Sequence, residues 1–101
     1  MMVFVYGTLM DEKIRYEVLG RKIPGISGTV DGYDGTKTII IENESYPAAV
    51  KNSDSSIQGL LLEITDVELE KLDIYETDAY KREEVELTNG TKAWIYLNKN
   101  S

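Results

Sequence analysis

Two places in this sequence hold residues whose types and spacing suit chemistry: the loop Tyr6-Gly7-Thr8-Leu9, directly after an apolar run, and Glu76, which ends Leu72-Asp73-Ile74-Tyr75-Glu76. At the first, glycine can adopt backbone angles closed to other residues, so the amides of Gly7, Thr8 and Leu9 can converge on one concave site that attracts a carboxylate or an oxyanion. At the second, a carboxylate stands at the carbonyl end of a predicted helix. There the helix dipole opposes negative charge, and Asp73 one turn earlier adds like-charge repulsion. Both effects raise the pKa of Glu76, and burial beside the loop acts in the same direction. The product is a carboxyl that takes and returns a proton near neutral pH. A plainer reading stands beside this one: an N-terminal core strand with its turn, and a solvated glutamate at a helix end.

Composition narrows the other chemistry open to the chain. Its 101 residues include no histidine and no cysteine. That excludes Ser-His-Asp and Cys-His catalysis, zinc-thiolate sites and disulfides, and leaves proton transfer to a carboxylate, a lysine or a tyrosine. No metal and no cofactor is expected. The net charge of −7, with eleven Lys and Arg forming no block, argues against nucleic acid as a partner. There is no apolar run of about 18 residues and no secretory leader, so a soluble, cytoplasmic protein without membrane contact is expected. With 42% apolar content at this length, one domain over residues 1–101 is expected.

The elements that must position the two sites follow from patterning. Residues 2–5 read as a strand. Asp11 caps a helix over 12–19, with Ile14, Val18 and Leu19 inward and Gly20 as its stop. Residues 26–33 alternate loosely as a bent strand interrupted by Gly28 and Gly32. Asp34-Gly35 turns into a strand at 36–41, and 43–45 turns again into 46–50. A polar bend at 53–56 precedes the near-continuous apolar run 57–64, which is expected to be buried on both faces. Thr65 and Glu68 fit a capping box opening a helix to about Tyr75, with Val67, Leu69, Leu72 and Tyr75 inward. Strands at 80–87 and 92–97 flank Asn89-Gly90, which suits a type I′ turn, and 98–101 reads as a frayed tail. Short strands and two helices without regular βαβ alternation predict an α+β fold: a small mixed, strongly curved sheet curling towards a barrel, with two short flanking helices. Gly28, Gly32 and Gly59 permit the curvature.

Tyr6-Gly7-Thr8-Leu9, Tyr46-Pro47-Ala48, Gly59-Leu60-Leu61-Leu62-Glu63-Ile64 and Leu72-Asp73-Ile74-Tyr75-Glu76 with Tyr80-Lys81-Arg82, in this order, resemble the gamma-glutamyl cyclotransferase-like family over nearly the whole chain. The resemblance implies the barrel-like mixed sheet that the patterning predicts. It implies that the backbone of Tyr6, Gly7, Thr8 and Leu9 binds a small gamma-glutamyl substrate, and that Glu76 is the catalytic acid/base. In that reaction the substrate's α-amino group attacks its own γ-carbonyl, closes 5-oxoproline and expels the attached amine, with no water or cofactor. The loop amides would hold the α-carboxylate or the developing oxyanion. Tyr6 and Tyr80 could offer hydroxyls to the site or pack as core aromatics. Tyr46, Pro47 and Ala48 shape a pocket wall or only a turn beside a strand, and for Arg82 a surface ion pair outweighs a role in the site.

Two positions depart from the family pattern. Thr77 stands where members often have glycine directly after the glutamate. Asp11-Glu12 follow the loop where many members carry basic or amide residues, which favours a gamma-glutamyl amine or lysine-type amide over an acidic leaving group. The expected function is therefore a cyclotransferase acting on a small gamma-glutamyl amine or amide; the alternative is a non-catalytic module binding a small anionic or gamma-glutamyl metabolite.

Overall fold

Strand β1 (Met2–Val5) lies at the centre of a five-stranded sheet of order β2-β5-β1-β7-β6, in a computed structural model that describes residues 1–100. The other elements are α1 (Glu12–Leu19), β2 (Ile26–Asp34), β3 (Thr38–Ile41), β4 (Glu44–Pro47), β5 (Val50–Glu63), α2 (Asp66–Glu76), β6 (Tyr80–Glu86) and β7 (Lys92–Asn98), with 3₁₀ turns at Thr8–Met10 and Thr77–Ala79. Strand β1 runs antiparallel to β5, with Val3 opposite Leu62, and parallel to β7, with Phe4 opposite Ile95. The mixed α+β architecture with a curled sheet and two helices is the one the patterning predicts.

Burial on both faces explains why β1 is apolar throughout. Val3 and Val5 join Leu62, Ile64, Leu69, Leu72 and Leu19 in the core under the helices. Phe4 joins Val30, Ile57, Leu61, Ile95 and Leu97 on the other face, inside the curl. Helix α1 is capped as expected: Asp11 accepts from the Lys13 N–H at 2.8 Å and the Ile14 N–H at 3.3 Å, and Gly20 closes it at φ 79°. The Thr65–Glu68 capping box of α2 is also complete.

Several expectations are corrected. The polar residues 53–56 do not bend the chain; they belong to β5, which pairs with β2 down to Val50 opposite Asp34. Strand pairing needs only backbone groups, and a bulge between Asp31 and Tyr33, where Gly32 takes φ 89°, absorbs the irregularity. The segment 46–50 is not one strand: β4 stops at Pro47, and Ala49 makes an isolated bridge to Leu97. Asn89 lacks the positive φ of a type I′ turn, and only Gly90 is left-handed, at 89°. The two-residue turn with positive φ at both positions is Glu42-Asn43, at 50° and 67°, joining β3 to β4. Val67 faces outward at 62% exposure, because α2 turns Leu69 and Leu72 to the core instead. Asn98 is not frayed: its N–H bonds the Ala49 carbonyl at 2.8 Å, and Ser101 lies outside the described residues. Among the described residues no helix is long and apolar enough to cross a membrane.

Candidate functional site

The end of β1 and the start of the following loop open into a cleft lined by Phe4, Val5, Tyr6, Gly7 and Thr8. The β3–β4 hairpin supplies the opposite wall with Ile41, Tyr46 and Pro47, the end of α2 supplies Tyr75 and Glu76, and β6 and β7 supply Tyr80 and Tyr96. The cavity measures about 140 Å³. That is room for roughly five water molecules, the scale of a small metabolite. The loop from the first residues and the acid from the second helix, 67 positions apart at their Thr8–Tyr75 contact, thus share one cavity.

Glu76 is the last residue of α2, and its carboxyl has no hydrogen-bond or ion-pair partner among the described residues. Burial raises its pKa from 4.5 to about 7. Desolvation is the cause, as expected from burial beside the loop, and the expected repulsion from Asp73 is not among the causes. Asp73 is engaged elsewhere: Arg82 pairs with it at 3.1 Å, and the Tyr96 hydroxyl donates to its Oδ1 at 2.6 Å. Arg82 in turn lies over the Trp94 ring, 4.5 Å from its centroid, so it braces Asp73 and lines no part of the cleft.

The loop carries Gly7 at φ −118°, ψ −133°, and an added Cβ would touch Pro47 at an ordinary 3.7 Å. The 3₁₀ turn is closed by the Met10 N–H on the Gly7 carbonyl at 3.0 Å and the Asp11 N–H on the Thr8 carbonyl at 3.1 Å. The amides of Thr8 and Leu9 precede the first closing donor, and no side chain caps them. Beneath the turn, the buried Arg15 donates to the carbonyls of Leu9 at 3.1 Å, Met10 at 2.9 Å and Ile23 at 3.2 Å. Its position inside an otherwise polar stretch of α1 gave no sequence signal.

Of the residues singled out by sequence, Tyr6, Gly7, Thr8, Tyr46, Pro47, Glu76 and Tyr80 come together in the cleft. Leu9 does not present its side chain there, since it is packed in the core at 2% exposure. Ala48 lies behind the wall, fully buried, with its N–H on the Lys37 carbonyl at 2.9 Å. Asp11 is the cap of α1, and neither it nor Glu12 lines the cleft. Tyr96 was missed. So was the role of Tyr75, read as core-facing: it is 38% exposed, lines the cleft, and its hydroxyl bonds Thr8 Oγ1 at 2.8 Å.

Thr77, directly after Glu76, sits at φ 66°, ψ −174°. Glycine occupies that region freely, and a β-branched residue there is strained by about 1–3 kcal/mol. Its hydroxyl accepts from the Ala79 N–H at 3.3 Å, a weak return. Thr77→Gly is expected to raise stability by about 1 kcal/mol, after the entropy that glycine adds to the unfolded chain. Urea denaturation reads the change, and a lower midpoint for the glycine variant would refute the strain.

A family model described as gamma-glutamyl cyclotransferase, AIG2-like, matches residues 3–101. AIG2-like protein D of Arabidopsis thaliana is 32% identical over 107 aligned positions, covering 97% of this chain and 68% of that protein. AIG2-like protein C of the same plant is 30% identical over 86 residues, covering 84% of this chain and 48% of that protein. A solution structure from Arabidopsis thaliana superposes with a TM-score of 0.81 at 25% identity, over 98% of this chain and 62% of that one. A structure described as gamma-glutamyl cyclotransferase superposes with a TM-score of 0.82 over 97% of this chain and 66% of that one; at 12% identity the likeness is one of fold. The chain spans between 48% and 68% of the length of the curated relatives it matches.

Proposed function

The chain belongs to the gamma-glutamyl cyclotransferase, AIG2-like family, and from that premise we propose that it converts a small gamma-glutamyl amine or amide into 5-oxoproline and a free amine. One observation carries the reading: a half-buried carboxyl without a protein partner, its pKa raised to about 7, shares a metabolite-sized cleft with a turn whose leading amides are uncapped. Glu76 takes a proton from the substrate's α-ammonium. The freed nitrogen attacks the γ-carbonyl carbon, Glu76 returns the proton to the departing nitrogen as its bond breaks, and the second proton that the ring nitrogen sheds passes by way of Glu76 to the same amine, which leaves as an ammonium. Atoms balance without water or cofactor. General acid/base transfer of this kind contributes about 10²–10⁴ in rate, and holding the substrate folded on itself contributes proximity.

The amides of Thr8 and Leu9 receive the α-carboxylate or the oxyanion, while Tyr46 and Pro47 wall the substrate in. The leaving group is assigned from charge. Glu76 is the one charged residue among those lining the cleft, and Tyr46 donates to Glu44 at 2.6 Å, which adds negative charge to the hairpin wall. An amine suits this wall better than an acidic partner. Asp11 and Glu12 lie outside the lining of the cleft and do not set this preference. We assign the reaction to the cytoplasm, in keeping with a cysteine-free composition.

The test is incubation of the purified protein with a panel of gamma-glutamyl amines and peptides, assayed for 5-oxoproline. Activity is expected to rise about tenfold per pH unit up to pH 7, where Glu76 becomes a carboxylate, and then to level. Heat stabilisation by these compounds without any 5-oxoproline would instead establish a binding module.

A further inference from the structure

Three tyrosines of the cleft have committed their hydroxyl protons to the protein. Tyr6 donates to the Tyr96 carbonyl oxygen and accepts from the Ala49 N–H at 2.9 Å. Tyr80 donates to the Pro47 carbonyl at 2.7 Å, and Tyr96 donates to Asp73 Oδ1 at 2.6 Å. A phenol whose proton is engaged can offer a further partner only lone pairs, of which Tyr6 keeps one and the other two keep two each. Burial holds all three protonated: Tyr80 is pushed up to about 12, and Tyr6 and Tyr96 are pushed higher. Glu76 and the three tyrosines line the same cleft.

The complement of such a surface is a group that donates and does not accept. Glu76 is a free acceptor, no Lys or Arg is among the lining residues, and Tyr46 has donated to Glu44, while the Thr8–Tyr75 pair shares one hydrogen bond and keeps a single free hydroxyl proton. A primary ammonium has three N–H donors and no lone pair. We propose that Tyr6, Tyr80 and Tyr96 together with Glu76 form an acceptor-only pocket for the substrate's α-ammonium, which leaves the loop amides to the carboxylate. The pocket rests on the reading of the cleft as a gamma-glutamyl site. One N–H lies on Glu76, which removes that proton, and the other two are held by tyrosine oxygens, so the amine is oriented as it becomes a nucleophile.

L-Norvaline tests the pocket without turnover, since it carries the α-ammonium and α-carboxylate but no γ-carbonyl. Its affinity, read by NMR titration, is compared with that of pentanoate, which lacks the ammonium, and of N,N,N-trimethylnorvaline, which keeps the charge and loses the donors. Norvaline is expected to bind about tenfold tighter than either. Tyr80→Phe and Tyr96→Phe are each expected to weaken norvaline about tenfold and to leave pentanoate unchanged. Equal binding of norvaline and pentanoate overturns the proposal. So does equal binding of the trimethyl compound, which would mark an aromatic cation cage instead, or parallel losses for both ligands in the phenylalanine variants. Should neither variant fold, the three-ligand comparison on the unmodified protein decides. Ammonium-dependent binding without any 5-oxoproline from the substrate panel would support the pocket while refuting cyclisation, so the two failures are separable.

Discussion

Glu76→Gln is expected to lower 5-oxoproline release by about 10²–10⁴ while making the folded protein more stable above neutral pH. The two halves of the result come from one physical fact. Burial without a partner penalises the carboxylate, which is why its pKa rises to about 7 from 4.5. In the folded state Glu76 therefore keeps its proton over a window in which the unfolded chain has lost it. Between pH 4.5 and 7 the native state binds more protons than the unfolded one, so stability falls as pH rises through that window and is flat above it. A shift of this size corresponds to about 3 kcal/mol; cleft water reduces it to about 2 kcal/mol at pH 8. Glutamine has the same shape and no charge to desolvate. Its melting temperature should exceed that of the parent by roughly 10 °C at pH 8 and match it near pH 4.5. Scanning both proteins by differential scanning fluorimetry across that range gives the curve. A pH-independent difference, or a variant less stable at pH 8, would mean that Glu76 is solvated and the cleft reading is wrong.

How far the sequence foretells this depends on whether the signal is local. Glu76 is legible because it breaks a local rule, a negative charge at a helix C-terminus, and the Tyr6–Leu9 loop is legible because an apolar strand stops there at a glycine. The cause of the raised pKa is not local. Asp73 is adjacent on the helix, but its charge is held by Arg82 and Tyr96, and only tertiary packing removes water from Glu76. Tyr96 illustrates the same limit. In Lys92–Asn98 it alternates as one more large residue of a buried strand, and nothing nearby says that β7 lies parallel to β1 and brings that hydroxyl to the cleft. The β3–β4 turn was missed because Glu42-Asn43 lacks the glycine that normally announces positive φ, while Asn89-Gly90 has the announcing residues and forms a different turn. Residues 51–54 are exposed and polar, so side-chain patterning carried no trace of a strand that is specified by backbone pairing to β2.

Gly59→Ala is expected to cost about 3 kcal/mol or more and to take the site with it. Gly59 sits in β5 opposite Gly28 of β2, and a Cβ there would lie 2.4 Å from the Val5 carbonyl oxygen and 2.8 Å from the Phe4 ring. Gly28 offers the instructive contrast. Its added Cβ would meet Leu87 Cδ2 at 2.6 Å, the end of a side chain that can rotate, so Gly28→Ala should cost about 1 kcal/mol. At Gly59 the obstacle is backbone and a fully buried ring, in a strand pairing that fixes Val5 opposite Leu60. Relief requires β1 to move away from β5. Tyr6 and Gly7 follow Val5 directly, so any fraction that still folds carries a displaced loop and should bind ligand more weakly even where Glu76 is untouched. Urea midpoints for the two alanine variants, measured side by side, test the claim. Equal midpoints would show that β1 yields easily, and the loop would then lack the rigid support on which a preorganised amide site depends.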